Sequence, residues 1–225
     1  ARERDTTKLG TELDRFLMDE EVGVGLPMWM PNGAAIREEL EKWAKEVEFR
    51  AGYQRVSTPV ITRSNLYHRS GHLPYYTEGM YPPMVVDDND EYYLRPMNCP
   101  HHHKIYLARP RSYRDLPLRL AEYGNTFRYE KHGSLAGLLR VRAMCMNDAH
   151  IYCTPEQVHE EFVAVVQMYK DYYEHLRVGN LRMVLALHDP NSEKFAGKHD
   201  EWVRYEAIVR DVLNSLEVDY DEEVG

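Results

Sequence analysis

No apolar run in this 225-residue sequence approaches the roughly 18 residues needed to cross a bilayer, so the chain reads as soluble. The opening "ARERDTTKLG" lacks a methionine, a signal-peptide apolar stretch and an arginine- and serine-rich transit pattern, and we therefore expect a piece excised from a longer protein, cut at both ends. Cysteine is scarce. Cys99, Cys145 and Cys153 are odd in number, widely spaced and without a C-x-x-C pair, which is a poor disulfide framework and fits a reducing, cytoplasmic setting. Positive charge is also deficient: 28 Lys and Arg against 37 Asp and Glu give a net charge of −9, which on its own argues against a nucleic-acid partner. No internal repeat or low-complexity tract appears either. What remains, 43% hydrophobic and 29% charged, is the composition of a globular chain long enough to bury a sizeable core.

The acidic average conceals a local exception. Residues 101–143 carry nine basic side chains (Lys104, Arg109, Arg111, Arg114, Arg119, Arg128, Lys131, Arg140, Arg142) against three acidic ones (Asp115, Glu122, Glu130), a segment that either holds phosphate or forms a solvated basic face. Around it the periodicities alternate between helix and strand. "IREELEKWAKEVEF" spaces Ile36, Leu40, Trp43 and Val47 as one helical stripe, expected to be buried. "YQRVSTPVI" puts Val56, Thr58 and Val60 on one face and loses regular pairing near Pro59, as at an edge or interface strand. A short helix ending at Gly71 and a hairpin with an acidic turn, "VVDDNDEYYLRPM", follow. "AEYGNTFRYE" and "RVRAMCMNDAHIYC" read as two strands joined by "KHGSLAGLL", a connection too short for a parallel crossover, so the central sheet should be largely antiparallel. A helix from Thr154–Pro155 to near Gly179, a strand "LRMVLAL" and a helix burying Trp202, Ile208, Val212 and Leu216 complete an α+β chain.

Two stretches carry candidate chemistry. On the second central strand, Arg140, Arg142, Met144, Met146, Asp148 and His150 share one face, while Val141, Ala143, Cys145 and Asn147 share the other. Guanidiniums, then thioethers, then a carboxylate and an imidazole could hold an elongated anionic ligand; an ion-paired sheet surface is the plainer alternative. The same alternation separates Cys145 from His150, which argues against a Cys145–His150–Cys153 metal cluster. The other stretch is "YYLRPMNCPHHHKIY" (92–106), where Cys99 lies between two prolines and before three histidines. A stray buried thiol, a structural metal site and part of a catalytic pocket all remain open, and most of the histidines are expected at the surface.

"KLGTELDRF", "SGHLPYY", "RPMNCP", "RSYRDLPLRLAEYGNTFRYE" and "GLLRVRAMCMNDAHIYCTPEQ" together resemble the catalytic domain of the threonyl-tRNA synthetase family of class II aminoacyl-tRNA synthetases, over essentially the whole chain. "PMNCP" followed about fifty residues later by "NDAHIYC" resembles the threonine-specific branch in particular. The resemblance implies a truncated class II catalytic fold over residues 1–225, with motifs 1 and 2 present, the chain ending before motif 3, and no editing or anticodon-binding domain. It implies that the helix and the strand ending in "STPVI", with Pro59, are motif 1 and make a homodimer interface. Residues 119–150 would be motif 2. There Arg128 would contact the ATP α-phosphate and the amino-acid carboxylate as the catalytic arginine, Glu130 the adenine end, and Arg140 the γ-phosphate. Cys99 and His150 match two of the family's three protein zinc ligands, and Met97 and Asp148 would line the threonine pocket.

The implied reaction is ATP- and Mg²⁺-dependent activation of threonine and its transfer to tRNA(Thr). It brings a carboxylate against a phosphate, which calls for guanidiniums rather than a nucleophilic side chain. A three-ligand zinc would leave room for the substrate's amino and hydroxyl groups. The sequence also departs from the family. Met144 stands where many members place phenylalanine against adenine, Met146 where many have glutamine by the substrate amine, and "LALHDP" replaces a serine/threonine–arginine–proline pattern. A non-catalytic synthetase-like paralogue and a sibling class II enzyme for another amino acid are the competing readings.

Overall fold

The computed structural model describes residues 6–87, 90–179, 181–192 and 198–224. It divides the chain into two compact units, residues 1–111 with 118–150 and residues 112–117 with 151–225.

In the first unit, helix α1 (Thr6–Glu12) precedes an antiparallel ribbon of β1 (Phe16–Leu17) and β2 (Met28–Trp29). Helix α2 (Pro31–Arg50) follows, with proline in its first turn, where the missing N–H costs nothing. Strands β3 (Gln54–Arg55) and β4 (Ile61–Arg63) flank Pro59, and no strand runs through residues 56–60. Helices α3 (Ser64–Ser70) and α4 (His72–Tyr75) meet at Gly71, whose φ of 77° is a left-handed value that glycine adopts without steric cost. The hairpin of β5 (Met84–Asp87) and β6 (Asp90–Leu94) pairs antiparallel and joins β4 in a three-stranded sheet ordered β4-β6-β5. Tyr67, Leu73, Met80 and Tyr93 form a buried cluster beside it.

Helix α5 (Cys99–Tyr106) leads to the long strands β7 (Leu118–Phe127) and β8 (Ala143–Tyr152), and the second sheet has the order β3-β7-β8. The Arg128 amide donates to the Arg142 carbonyl (2.9 Å) where the connecting loop leaves the two strands, so β7 and β8 run antiparallel. Within this sheet the two-residue β3–β7 pairing is parallel. β7 is central and carries buried residues on both faces, including Leu118, Leu120, Ala121, Glu122 and Thr126.

The stripe expected on α2 is not buried within this chain. Ile36 and Leu40 are 47% and 45% exposed, Trp43 and Val47 are half-buried, and the buried residues are Gly33, Ala44 and Glu48. The inward face is set by polar pairing: Glu48 accepts from Asn147 of β8 (2.6 Å) and from Arg55 (2.7 Å), which turns the edge bearing Ile36 and Leu40 outward.

In the second unit, Thr154 and Gln157 form a reciprocal cap around a 3₁₀ turn at Pro155–Gln157, and α6 (Val158–His175) follows, ending four residues before the expected Gly179. β9 (Met183–Leu187) and β10 (Tyr220–Val224) pair in parallel across α7 (His199–Ser215), around a core of Val166, Leu185 and Leu213. β10 was not apparent from the sequence. Its "YDEEV" has the composition of a loop, and its carboxylates are held by Arg182 and Arg210 from neighbouring elements.

Candidate active site

α5 begins at Cys99, with Pro100 in its first turn. Because helical side chains three apart share a face, Cys99 and His102 point the same way, while Asp148 and His150 alternate onto one side of β8. The result is a convergence: ligand atoms of Cys99, Asp148 and His150, all half-buried, lie within 4.8 Å of one another. Cys145 and Asn147 face the other way, toward α2, with Cys145 in the field of Arg37, Glu41 and Lys45 and Asn147 bonded to Glu48.

Electrostatics at the convergence favour the neutral Cys99 thiol and the neutral His150 imidazole until a cation arrives. Burial, then the Asp148 carboxylate, push the Cys99 thiol up. Burial pushes the His150 imidazole down, against a smaller opposing pull from Asp148 and with repulsion from His102 and His103. A divalent ion would supply the missing positive charge and displace the thiol proton, so a sulfur, an imidazole nitrogen and a carboxylate oxygen at this spacing fit zinc. Asp148 is itself held by Asn98, whose amide donates to Oδ2 at 3.1 Å. Asn98 is fully buried and fits only because residue 124 is glycine, where a Cβ would lie 2.5 Å from the Asn98 Oδ1.

Met97, half-buried, sits two residues before Cys99. Arg128, just past the end of β7, has its Nε 3.5 Å from the Pro96 carbonyl, at the turn that carries Met97. Glu130 and Arg140 form an ion pair (2.9 Å), and Arg142 lies over the Tyr129 ring and donates to the Glu130 carbonyl (3.0 Å). The single-strand face expected from Arg140 to His150 is thus shorter than its sequence pattern. β8 starts at Ala143, so Met144, Met146, Asp148 and His150 lie along it, while Arg140 and Arg142 belong to the loop, where Ala136 and Arg140 make an isolated bridge. Pro59 is exposed between β3 and β4.

The histidine run is not incidental surface. His101 and His102 are buried and only His103 is exposed. His102 lies between Glu122 and His150, and Glu122 in turn gathers Thr58 and Arg95. Sequence reasoning passed over Arg95, Asn98, His102 and Glu122. The usable signal was helical spacing, since Cys99 and His102 at i and i+3 share a face.

A family model described as the tRNA synthetase class II core domain (G, H, P, S and T) matches residues 75–220. The chain belongs to this class II synthetase family. Across its whole length it is 46% identical to threonine–tRNA ligases of Streptococcus gordonii and of Streptococcus pyogenes serotype M2, and it spans 35% of their length. Among solved structures, one described as the RNA binding domain of threonyl-tRNA synthetase from Cryptosporidium parvum Iowa II superposes with a TM-score of 0.88 at 32% identity, covering 99% of this chain and 54% of that one. The α+β class II fold read from the sequence is the fold found, and the described helices include none long and apolar enough to cross a membrane.

Proposed function

We propose that the full-length protein activates threonine with ATP and transfers it to tRNA(Thr), and that this chain is part of its catalytic domain, carrying motifs 1 and 2. The observation that carries the reading is the convergence of Cys99, Asp148 and His150, three different donor types drawn from α5 and β8 into one pocket. Cys99 and His150 are assigned as zinc ligands, and Asp148, fixed by Asn98, lines the threonine pocket with Met97. Zinc held by Cys99 and His150 would supply a Lewis-acidic centre suited to the threonine amino and hydroxyl groups. Valine lacks the hydroxyl and leaves such a site unsatisfied, whereas serine lacks only a methyl, worth roughly 10–200-fold.

Arg128 is assigned to the α-phosphate and the threonine carboxylate. Neutralising both anions there lowers the cost of bringing them together, and the guanidinium need not move a proton. Glu130 and Met144 are assigned to the adenosine end, Met146 to the pocket edge, and Arg140 to the γ-phosphate, with Mg²⁺ accompanying ATP. The Arg140–Glu130 pair does not obstruct this: Arg140 is 57% exposed, and a pair so screened is worth about 0–1 kcal/mol, so a triphosphate can take the guanidinium at little cost. The exposed Ile36, Leu40 and Pro59 support homodimerisation through motif 1, and the three cysteines, none in a disulfide, fit a cytoplasmic setting.

ATP–pyrophosphate exchange by the full-length protein with a panel of amino acids tests the reading. Exchange strongest with threonine is expected. Exchange with a different amino acid would assign a sibling enzyme, and none at all would assign the non-catalytic paralogue that Met144 and Met146 make credible.

A further inference from the structure

His150 is joined to a chain of buried groups that no substrate contact requires. Its Nδ1 lies 2.8 Å from Nδ1 of His102, whose Nε2 lies 3.0 Å from Oε2 of Glu122. Glu122 accepts further hydrogen bonds from the Thr58 amide (2.9 Å), the Thr58 hydroxyl (2.8 Å) and the Arg95 guanidinium (3.3 and 3.4 Å). The side chains of His102, Glu122 and Arg95 are at most 3% exposed, so water does not compete for these contacts.

The direction of the chain is fixed by what each end can do. An ionised carboxylate only accepts, so the hydrogen between Glu122 and His102 is carried by Nε2 of His102. With His102 as a neutral imidazole, its single N–H sits on Nε2 and a lone pair is left on Nδ1. The hydrogen in the His102–His150 contact therefore belongs to Nδ1 of His150, and Nε2 of His150 keeps its lone pair. In the opposite tautomer Nε2 would carry a hydrogen and be useless to a metal.

We propose that His102 and Glu122 are positioning residues that lock His150 in the Nδ1–H tautomer, with Nε2 presented to the pocket shared with Cys99 and Asp148. This rests on the assignment of Cys99 and His150 as zinc ligands. Arg95 and Thr58 saturate the remaining capacity of Glu122, keeping it an acceptor toward His102. Hydrogen-bonded partners behind metal-bound histidines typically contribute 10–100-fold in metal affinity.

The test compares full-length wild type with H102L, H102Q, E122Q and C99S, reading zinc affinity by chelator competition, the visible absorption of the cobalt(II)-loaded proteins, and thermal unfolding. Glutamine at 102 can direct its amide N–H toward Glu122 and its carbonyl toward His150, preserving the direction of the relay; leucine abolishes it at similar volume. E122Q presents an NH₂ group to His102 and reverses the direction. H102L and E122Q should bind zinc about 10–100-fold more weakly and shift the cobalt spectrum, while H102Q stays close to wild type in both. E122Q also strands the Arg95 charge, so its affinity is read only if it unfolds cooperatively, and the H102L–H102Q contrast then decides. Wild-type affinity in H102L, with zinc lost in C99S, overturns the relay and leaves the site intact. Equal losses in H102L and H102Q show mere packing and overturn it as well. Zinc retained in C99S overturns the site assignment itself.

Discussion

Gly124→Ala is a one-methyl change in β7, yet it should damage the pocket through Asn98. A Cβ at 124 would lie 2.5, 2.7 and 2.8 Å from Oδ1, Nδ2 and Cγ of Asn98. Ordinary contacts begin near 3.5 Å, so the Asn98 amide must retreat by roughly 1 Å. Asn98 is fully buried, and its Nδ2 donates to Asp148 at 3.1 Å, so that retreat breaks the bond. Overpacking costs about 1–3 kcal/mol and the lost hydrogen bond about 1 kcal/mol, against a gain of about 0.5–1 kcal/mol for replacing glycine in a regular strand. The net expectation is a loss of about 1–3 kcal/mol in urea unfolding, together with a raised KM for threonine as Asp148 loses its anchor. In an Asn98→Ala background the clashing atoms are gone, and the same substitution should be neutral or stabilising. The coupling between the two sites should therefore be about 2 kcal/mol. An equal cost of Gly124→Ala in both backgrounds, or no cost with Asn98 present, refutes the reasoning.

Cys99→Ser should remove zinc from the full-length protein, whereas Cys145→Ser and Cys153→Ser should keep about one ion per chain, as metal analysis will show. Arg128→Ala should reduce the rate of adenylate formation far more than threonine affinity, and Arg140→Ala should mainly raise the ATP concentration needed; single-turnover kinetics distinguish the two. Ile36→Asp with Leu40→Asp should leave the thermal unfolding of α2 and its sheet little changed while converting the proposed dimer of the full-length protein to monomer in sedimentation, because both side chains are exposed within the chain. Burial pushes the His72 imidazole down, and burial, then Arg95, push the His101 imidazole down. The unfolded chain therefore binds protons more readily, and the stability due to these neutral rings is complete above about pH 6.5 and falls as pH drops through the lowered values. Melting temperatures that decline from about pH 7 toward 5, with a shallower decline in His72→Gln, are expected; a flat wild-type profile would count against buried neutral histidines.

Local pattern carried most of the elements, because helix and strand periodicities are short-range properties. Val56, Thr58 and Val60 are half-buried while Ser57, Pro59 and Ile61 are exposed, as the alternation required. The left-handed stop at Gly71 and the β5–β6 hairpin were equally legible. α2 shows where pattern misleads. An apolar stripe states that a face will be covered, but the buried Glu48 with its partners Asn147 and Arg55 decided which face turns inward in this chain. β10 shows the converse, since "YDEEV" has little strand propensity and pairs because β9 and two arginines are already in place.

At the site, the sequence alone determined the parity of β8. Two-residue alternation placed Asp148 and His150 together and Cys145 opposite, whatever surrounds the strand. It also determined the family resemblance, through residues spread over the whole chain. Only the tertiary structure decided that Cys99 meets that face of β8, since 50 residues, strand β7 among them, intervene between Cys99 and His150. Only it decided the fate of the histidine run as well. Three adjacent imidazoles point around a helix in directions that sequence can list, but burial of His102 between Glu122 and His150 requires α5, β7 and β8 to be packed together, and the low-dielectric contact that gives His102 its role exists nowhere in the local chain.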